Sequence, residues 1–435
     1  MTAGSINDVK KSVISPVIII SVLFFIFGFV TWLNSALIPY LRIACELNNV
    51  EAYFIASAFY IAYLVMAKPS AWVLKLFGFK NAMAVGLLVM AVGALIFIPA
   101  ALTRTYVIFL LGQFVQGAGL AILQSASNPY ITILGPPENA VKRISIMGIF
   151  NKSAGVLAPI ALGLVVLKNI DAFTTKLATL SGAEKIAQLN ELASRVILPY
   201  VLIVIALVIL AVLIYFSGLP EIDTDHEDEA VAAANSGKNS IFEFPHLIIG
   251  VIALFFYVGA EVIAGDSIIN YGVAHHIPLS QAKFLASCTL ICMVAGYIGG
   301  ILFIPKYLSQ QKALVYSAVL GVVLTVLALF TPKYVSVACI ALLGLANSLM
   351  WPAIWPLALS GLGRFTKIGS SLLVMGIAGA AVFPPLYGLL VDSTKTSFGL
   401  EMAAQTSYWI LIPIYLFILY FAAVGYKKGK HVIVV

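Results

Sequence analysis

Long apolar runs alternate with short polar breaks along the whole chain. Each run is long enough to cross a bilayer as a helix, which takes about 20 apolar residues. The pattern predicts six spans in the first half, at 15–42, 51–76, 81–102, 105–134, 144–167 and 196–217. Six more follow at 243–272, 281–305, 311–331, 334–360, 367–391 and 404–426. Runs of about ten residues with alternating polarity are missing, so a membrane β-barrel is not expected. The leading "MTAGSINDVKKSV" is polar, and the run behind it is too long for a signal-peptide core, so no cleaved signal is expected.

Composition supports the same class. Of the residues, 62% are hydrophobic and 10% charged, with a mean hydropathy of +1.05. Soluble domains carry about 25% charged residues. An all-α integral membrane protein is expected.

Between the sixth and seventh spans lies "LPEIDTDHEDEAVAAANSGKNS", acidic and without an apolar face. It reads as a flexible linker. The predicted organisation is a six-helix bundle over 1–217, an acidic cytoplasmic linker over 218–240 and a second bundle over 241–435. The segment 168–195 predicts a short surface helix. The halves also match in sequence. "FFIFGFVTWLNSAL" pairs with "FFYVGAEVIAGDSI", "KRISIMGIFNKSAG" with "SSLLVMGIAGAAVF", and "SNPYITILG" with "IWPLALSGLG". All three matches fall in the same order at offsets of about 227 to 231 residues. The chain reads as a diverged duplication that folds into two pseudo-symmetric bundles.

Charge sets the expected orientation. With both termini in the cytoplasm, fourteen Lys and Arg fall on that side and nine outside. This follows the positive-inside rule. The net charge of +7 is read as orientation, with no nucleic-acid partner. Lipid is the expected surroundings.

The acidic residues point to chemistry. Sixteen of eighteen lie in tails, loops or span ends. Only Glu261 and Asp266 lie well inside a span. An ionised residue at a helix centre costs about 2.5–3.5 kcal/mol on insertion scales, so such residues face cavities, pair with cations or bind ions. On the FFxxG match, Asp266 takes the place pseudo-symmetric to Ser35. Two cations are also embedded, Lys68 and Lys152. Lys68 stands near a span end and is expected to snorkel outward. Lys152 lies deeper. Two readings stand: it pairs with a carboxylate of the other half, Asp266 first, or both groups are hydrated separately in a wet cavity. Glu261 and Asp266 sit about 140° apart on a regular helix. A helix break at Gly259 or Gly265 is expected to bring both to one cavity, where freed carbonyls bind cations.

The stretches "GFVTWLNSALIPYL", "GLAILQSASNPYITILGP", "FFYVGAEVIAG" and "GYIGGILFIPKYLSQQKAL" resemble the fucose–proton symporter family of the major facilitator superfamily, above all its glucose/galactose transporter branch. The resemblance covers essentially the whole chain. It implies sugar uptake driven by protons or sodium, a site between two halves, alternating access and a monomer in a bacterial inner membrane. The family's polar positions fall on Asn34, Ser35, Gln124, Asn128, Gly148 and Asn151. The family has Asp where this chain has Ser35, and often Gln where it has Gly148. The carboxylate missing from the first span reappears at Asp266. Asp266, with or without Glu261, is therefore the expected cation-coupling residue. Either a proton or a sodium ion at Asp266 fits.

Sugars bind through hydrogen bonds to hydroxyls and stacking on aromatic faces. The embedded amides Asn34, Gln124, Asn128, Asn151, Asn270 and Asn347 suit this. In the tenth span, Asn347, Trp351 and Trp355 recur every four residues and predict one wall. A cation-coupled hexose importer is the leading expectation. A carrier of another sugar, such as N-acetylglucosamine or fucose, is the alternative. An efflux antiporter for hydrophobic compounds would need fewer amides, and a sugar receptor would leave the buried charges without a task. No cofactor is expected, and no spacing of catalytic or metal-ligating residues suggests an enzyme. The scattered Cys45, Cys288, Cys292 and Cys339 read as packed thiols.

Overall fold

The structure is a computed structural model of the chain. It describes residues 16–133, 140–219, 240–304, 307–362 and 365–429. The predicted linker therefore lies almost wholly outside the described residues. Among those described, all regular elements are helices.

The twelve spans are all present. Ten stretches are long and apolar enough to cross a membrane. The second span, Asn49–Val65, falls just short of that length, but helix continues beyond Met66. It begins at a capping box, in which Asn48 accepts from the Glu51 amide and Glu51 accepts from the Asn48 amide. The helix Ala67–Thr103 has 37 residues. At 1.5 Å per residue that is about 55 Å, too long for one crossing. Gly78, at φ 72°, divides it into the end of the second span and the third. Gly399, at φ 78°, separates the eleventh span from the twelfth in the same way. Left-handed φ is where glycine alone is unstrained.

Helix packing repeats between the halves. In the first, the first span packs on the fifth, the second on the fourth, and the third on the fourth and sixth. In the second, the seventh packs on the eleventh, the eighth on the tenth, and the ninth on the tenth and twelfth. Each pairing is the other shifted by six spans. The bundles meet through the second span against the eleventh and the fifth against the eighth, again a matched pair.

The sequence matches land on this packing. Asn151 donates from Nδ2 to the Phe24 carbonyl at 3.3 Å. The FFxxG and MGI matches pair Phe24 with Phe255, and Asn151 with Gly379. Gly379 lies against that same Phe255 carbonyl, where an added Cβ would stand 1.8 Å away. Small residues let membrane helices approach closely.

The segment after the fifth span holds two helices, Ile170–Thr179 and Gly182–Ser194, instead of the one expected. Tyr40 ties the second to the first span by donating to the Leu192 and Ala193 carbonyls at 2.9 and 2.8 Å. Asp171 crosses between the halves. Its carboxylate accepts from the amides of Leu279 and Ser280 at 3.1 and 3.3 Å. At the same end, Asp392 of the eleventh span accepts from the Val50 amide of the second at 3.2 Å.

Candidate functional site

A cavity of about 130 Å³ lies between the halves. The first, second, fourth and fifth spans wall it on one side, and the seventh, eighth, tenth and eleventh on the other. Gln124, Asn128 and Asn151 supply amides, and Tyr60, Tyr257, Tyr297 and Trp351 supply rings. Lys152 and Glu261 face each other from opposite halves.

Lys152 forms a hydrogen-bonded ion pair with Glu261, and both side chains are largely buried. Glu261 also receives a side-chain hydrogen bond from Tyr257. The indole face of Trp32 lies under the ammonium, 4.7 Å from Nζ to the ring centroid. This corrects the expected pairing of Lys152 with Asp266. The reason is geometric. The seventh span runs as one helix from Pro245 to Asp266, with Gly259 and Gly265 helical inside it. The break comes only at Ser267, after which a short helix runs Ile268–Ala274. The two carboxylates therefore keep different faces, and only Glu261 reaches the cavity.

Asp266 is 1% exposed and lines neither this cavity nor the outer one. Among the described residues neither of its carboxylate oxygens has a hydrogen-bond partner. Tyr53, Tyr60 and Glu261 lie near enough to interact with it electrostatically. Isolated burial of this kind is costly for an ionised carboxylate and needs a compensating cation or proton.

The remaining expected residues divide. Trp351 lines the cavity, while Trp355 stacks behind it with centroids 5.3 Å apart. Asn347 does not share their wall. The tenth span is interrupted at Leu349, and Asn347 accepts at Oδ1 from the Tyr415 hydroxyl at 3.0 Å. Asn270 lines a second cavity of about 750 Å³, beside Arg42 and Asp171. Tyr53 lines the same cavity. Tyr53 meets Tyr387 of the other half edge-on, with centroids 5.9 Å apart. The side chains of Asn34 and Ser35 lie outside those described. Lys68 is exposed.

Sequence reasoning missed most of the rings. Tyr60, Tyr257 and Tyr297 stand in apolar runs, where they read as packing. Gly148 held a signal: the Tyr297 ring occupies the space a side chain would take there, 2.9 Å from an added Cβ.

The Major Facilitator Superfamily sequence profile matches residues 20–384. A glucose/galactose transporter of Brucella abortus is 33% identical over 423 residues, covering 94% of this chain and 93% of that one. An L-fucose-proton symporter of Escherichia coli K12 is 30% identical over 389 residues, covering 88% of each. The crystal structure of the superfamily transporter FucP in the outward conformation superposes with a TM-score of 0.69. It is 26% identical and covers 93% of this chain and 98% of that one. A D-xylose-proton symporter shares the fold at 15% identity and a TM-score of 0.66. With its repeated six-span packing and a cavity between the halves, this chain belongs to the Major Facilitator Superfamily, among the relatives of these glucose/galactose and fucose–proton carriers.

Proposed function

We propose that this chain is a secondary active importer of a hexose of the glucose/galactose type, coupled to a cation and working by alternating access. The carrying observation is the Lys152–Glu261 ion pair formed across the halves inside a cavity of amides and rings. Gln124, Asn128 and Asn151 match the donors and acceptors of sugar hydroxyls, and Trp351 offers a ring face. Rocking of the halves must strain or open a pair that spans them. Asp266 is a buried carboxylate in need of a positive partner, and taking up a cation meets that need. Glu261, close to Asp266 and holding Lys152, links ion uptake to the cavity.

A proton is favoured over sodium, because the names of the fucose relatives specify a proton. The bacterial inner membrane, with both termini cytoplasmic, fits the distribution of basic residues. In that orientation the cross-half bonds of Asp171 and Asp392 close the periplasmic end. The chain works as a monomer, with membrane lipid around it. N-acetylglucosamine or fucose is the alternative cargo, since the same amides and rings suit any pyranose.

The test is uptake into proteoliposomes of radiolabelled D-glucose, D-galactose, N-acetylglucosamine and L-fucose, each under a proton and then a sodium gradient. Accumulation of glucose or galactose above equilibrium supports the reading. Accumulation of only one of the other sugars moves the cargo. Passive equilibration of all four rules out coupling.

A further inference from the structure

Trp32 closes the first helical stretch of the first span, Pro16–Trp32, just before the interruption at Leu33. Its side chain is buried and lines the central cavity. The ring is wedged between two glycines of different halves. A Cβ on Gly155 of the fifth span would stand 2.5 Å from the indole Cδ1. A Cβ on Gly265 of the seventh would stand 2.2 Å from Cζ3 at the far edge. Neither glycine has a positive φ, so what both positions provide is room for the ring.

The same indole serves two charged groups. Its face meets the Lys152 ammonium, which Glu261 also holds. Its far edge presses on Gly265, whose chain neighbour is Asp266. On one side of the ring lies the cavity with its ion pair. On the other lies the backbone that carries a carboxylate shut away from that cavity. Cation–π attraction strengthens when both partners are out of water, as here. A smaller side chain would leave a gap beside a polar cavity, and such gaps admit water.

We infer that Trp32 is the positioning residue of the coupling site: its face holds Lys152 against Glu261, and its edge seals Asp266 from the cavity. The inference rests on the coupling proposed above. It makes Trp32 the part that prevents the ion from reaching Asp266 without sugar. Loss of the ring should therefore open a path for the ion alone, which a purely structural role would not do.

The experiment compares wild type, Trp32→Phe, Trp32→Leu and Gly265→Ala in proteoliposomes. One reading is D-glucose accumulation under a proton gradient. The other is proton entry without sugar, followed with an internal pH dye, with radiolabelled sodium entry as the parallel arm. Trp32→Leu should admit the coupling ion severalfold faster than wild type without sugar, and should accumulate glucose to a lower ratio. Trp32→Phe should fall between, because it keeps a ring face. Gly265→Ala should reproduce the leak by displacing the indole, and it decides the matter if Trp32→Leu does not fold. Variants that fold, accumulate glucose like wild type and remain ion-tight overturn the role of Trp32 alone. A wild type that equilibrates glucose without accumulating it under either gradient overturns the coupling reading, and the inference with it.

Discussion

Lys152 of the fifth span and Glu261 of the seventh form a buried ion pair that joins the two halves of the chain. Removing one partner leaves the other charge uncompensated in the low-dielectric interior. Glu261→Gln should cost about 3–5 kcal/mol of stability. The double change Lys152→Met with Glu261→Leu should recover most of it, because apolar packing often matches a buried pair. It should not recover sugar accumulation. Thermal unfolding in detergent and proteoliposome uptake check the two halves of this prediction.

Asp171 ties the halves at the proposed periplasmic end through the amides of Leu279 and Ser280. Hydrogen bonds to a charged acceptor contribute about 1.5–3 kcal/mol. Asp171→Ala should shift the population toward a form open at that end. Probe-pair distances across the outer cavity should lengthen, and a cysteine placed at Asn270 should label faster. Unchanged distances and labelling would show that Asp171 is not a latch.

Gly28 and Gly379 sit where helices of one half nearly touch. A Cβ at Gly28 would stand 1.7 Å from the Asn151 carbonyl, and one at Gly379 1.8 Å from that of Phe255. Gly28→Ala and Gly379→Ala should each lower stability by about 1–3 kcal/mol through overpacking. Melting temperatures read the effect.

His275, in the turn after the seventh span, is buried beside Glu401 of the twelfth. Burial pushes its pKa down, against the pull of Glu401, and His276 and Lys333 push the same way as burial. The folded chain thus binds this proton less readily than the unfolded one. The associated stability is fully present above about pH 6.5, the ordinary histidine value, and is lost as pH falls toward the lowered one. Melting temperature measured from pH 8 to 5 should drop through that window, and His275→Gln should flatten the drop.

The spans were legible because a bilayer demands continuous apolar runs, and such runs are local. The duplication was legible because Phe24 and Phe255 hold matching places in the first and seventh spans. The central amides Gln124, Asn128 and Asn151 were legible as polar residues where lipid tolerates few. The partner of Lys152 was not legible. It depends on helix crossing and on whether the seventh span breaks before or after Asp266, and glycine at 265 suggested the earlier break. There the glycine makes room for Trp32 instead. Asn347 misled for a similar reason, since the interruption at Leu349 and the Tyr415 hydroxyl turn it from the cavity.

The central claim is that a buried carboxylate of the seventh span couples a cation to hexose entry. The most direct measurement is radiolabelled D-glucose accumulation by wild type and Asp266→Asn in proteoliposomes, under a proton gradient and then a sodium gradient. The account predicts that wild type concentrates glucose under one of the two gradients while Asp266→Asn only equilibrates it. An Asp266→Asn protein that concentrates glucose as wild type does, or a wild type indifferent to both gradients, would contradict it.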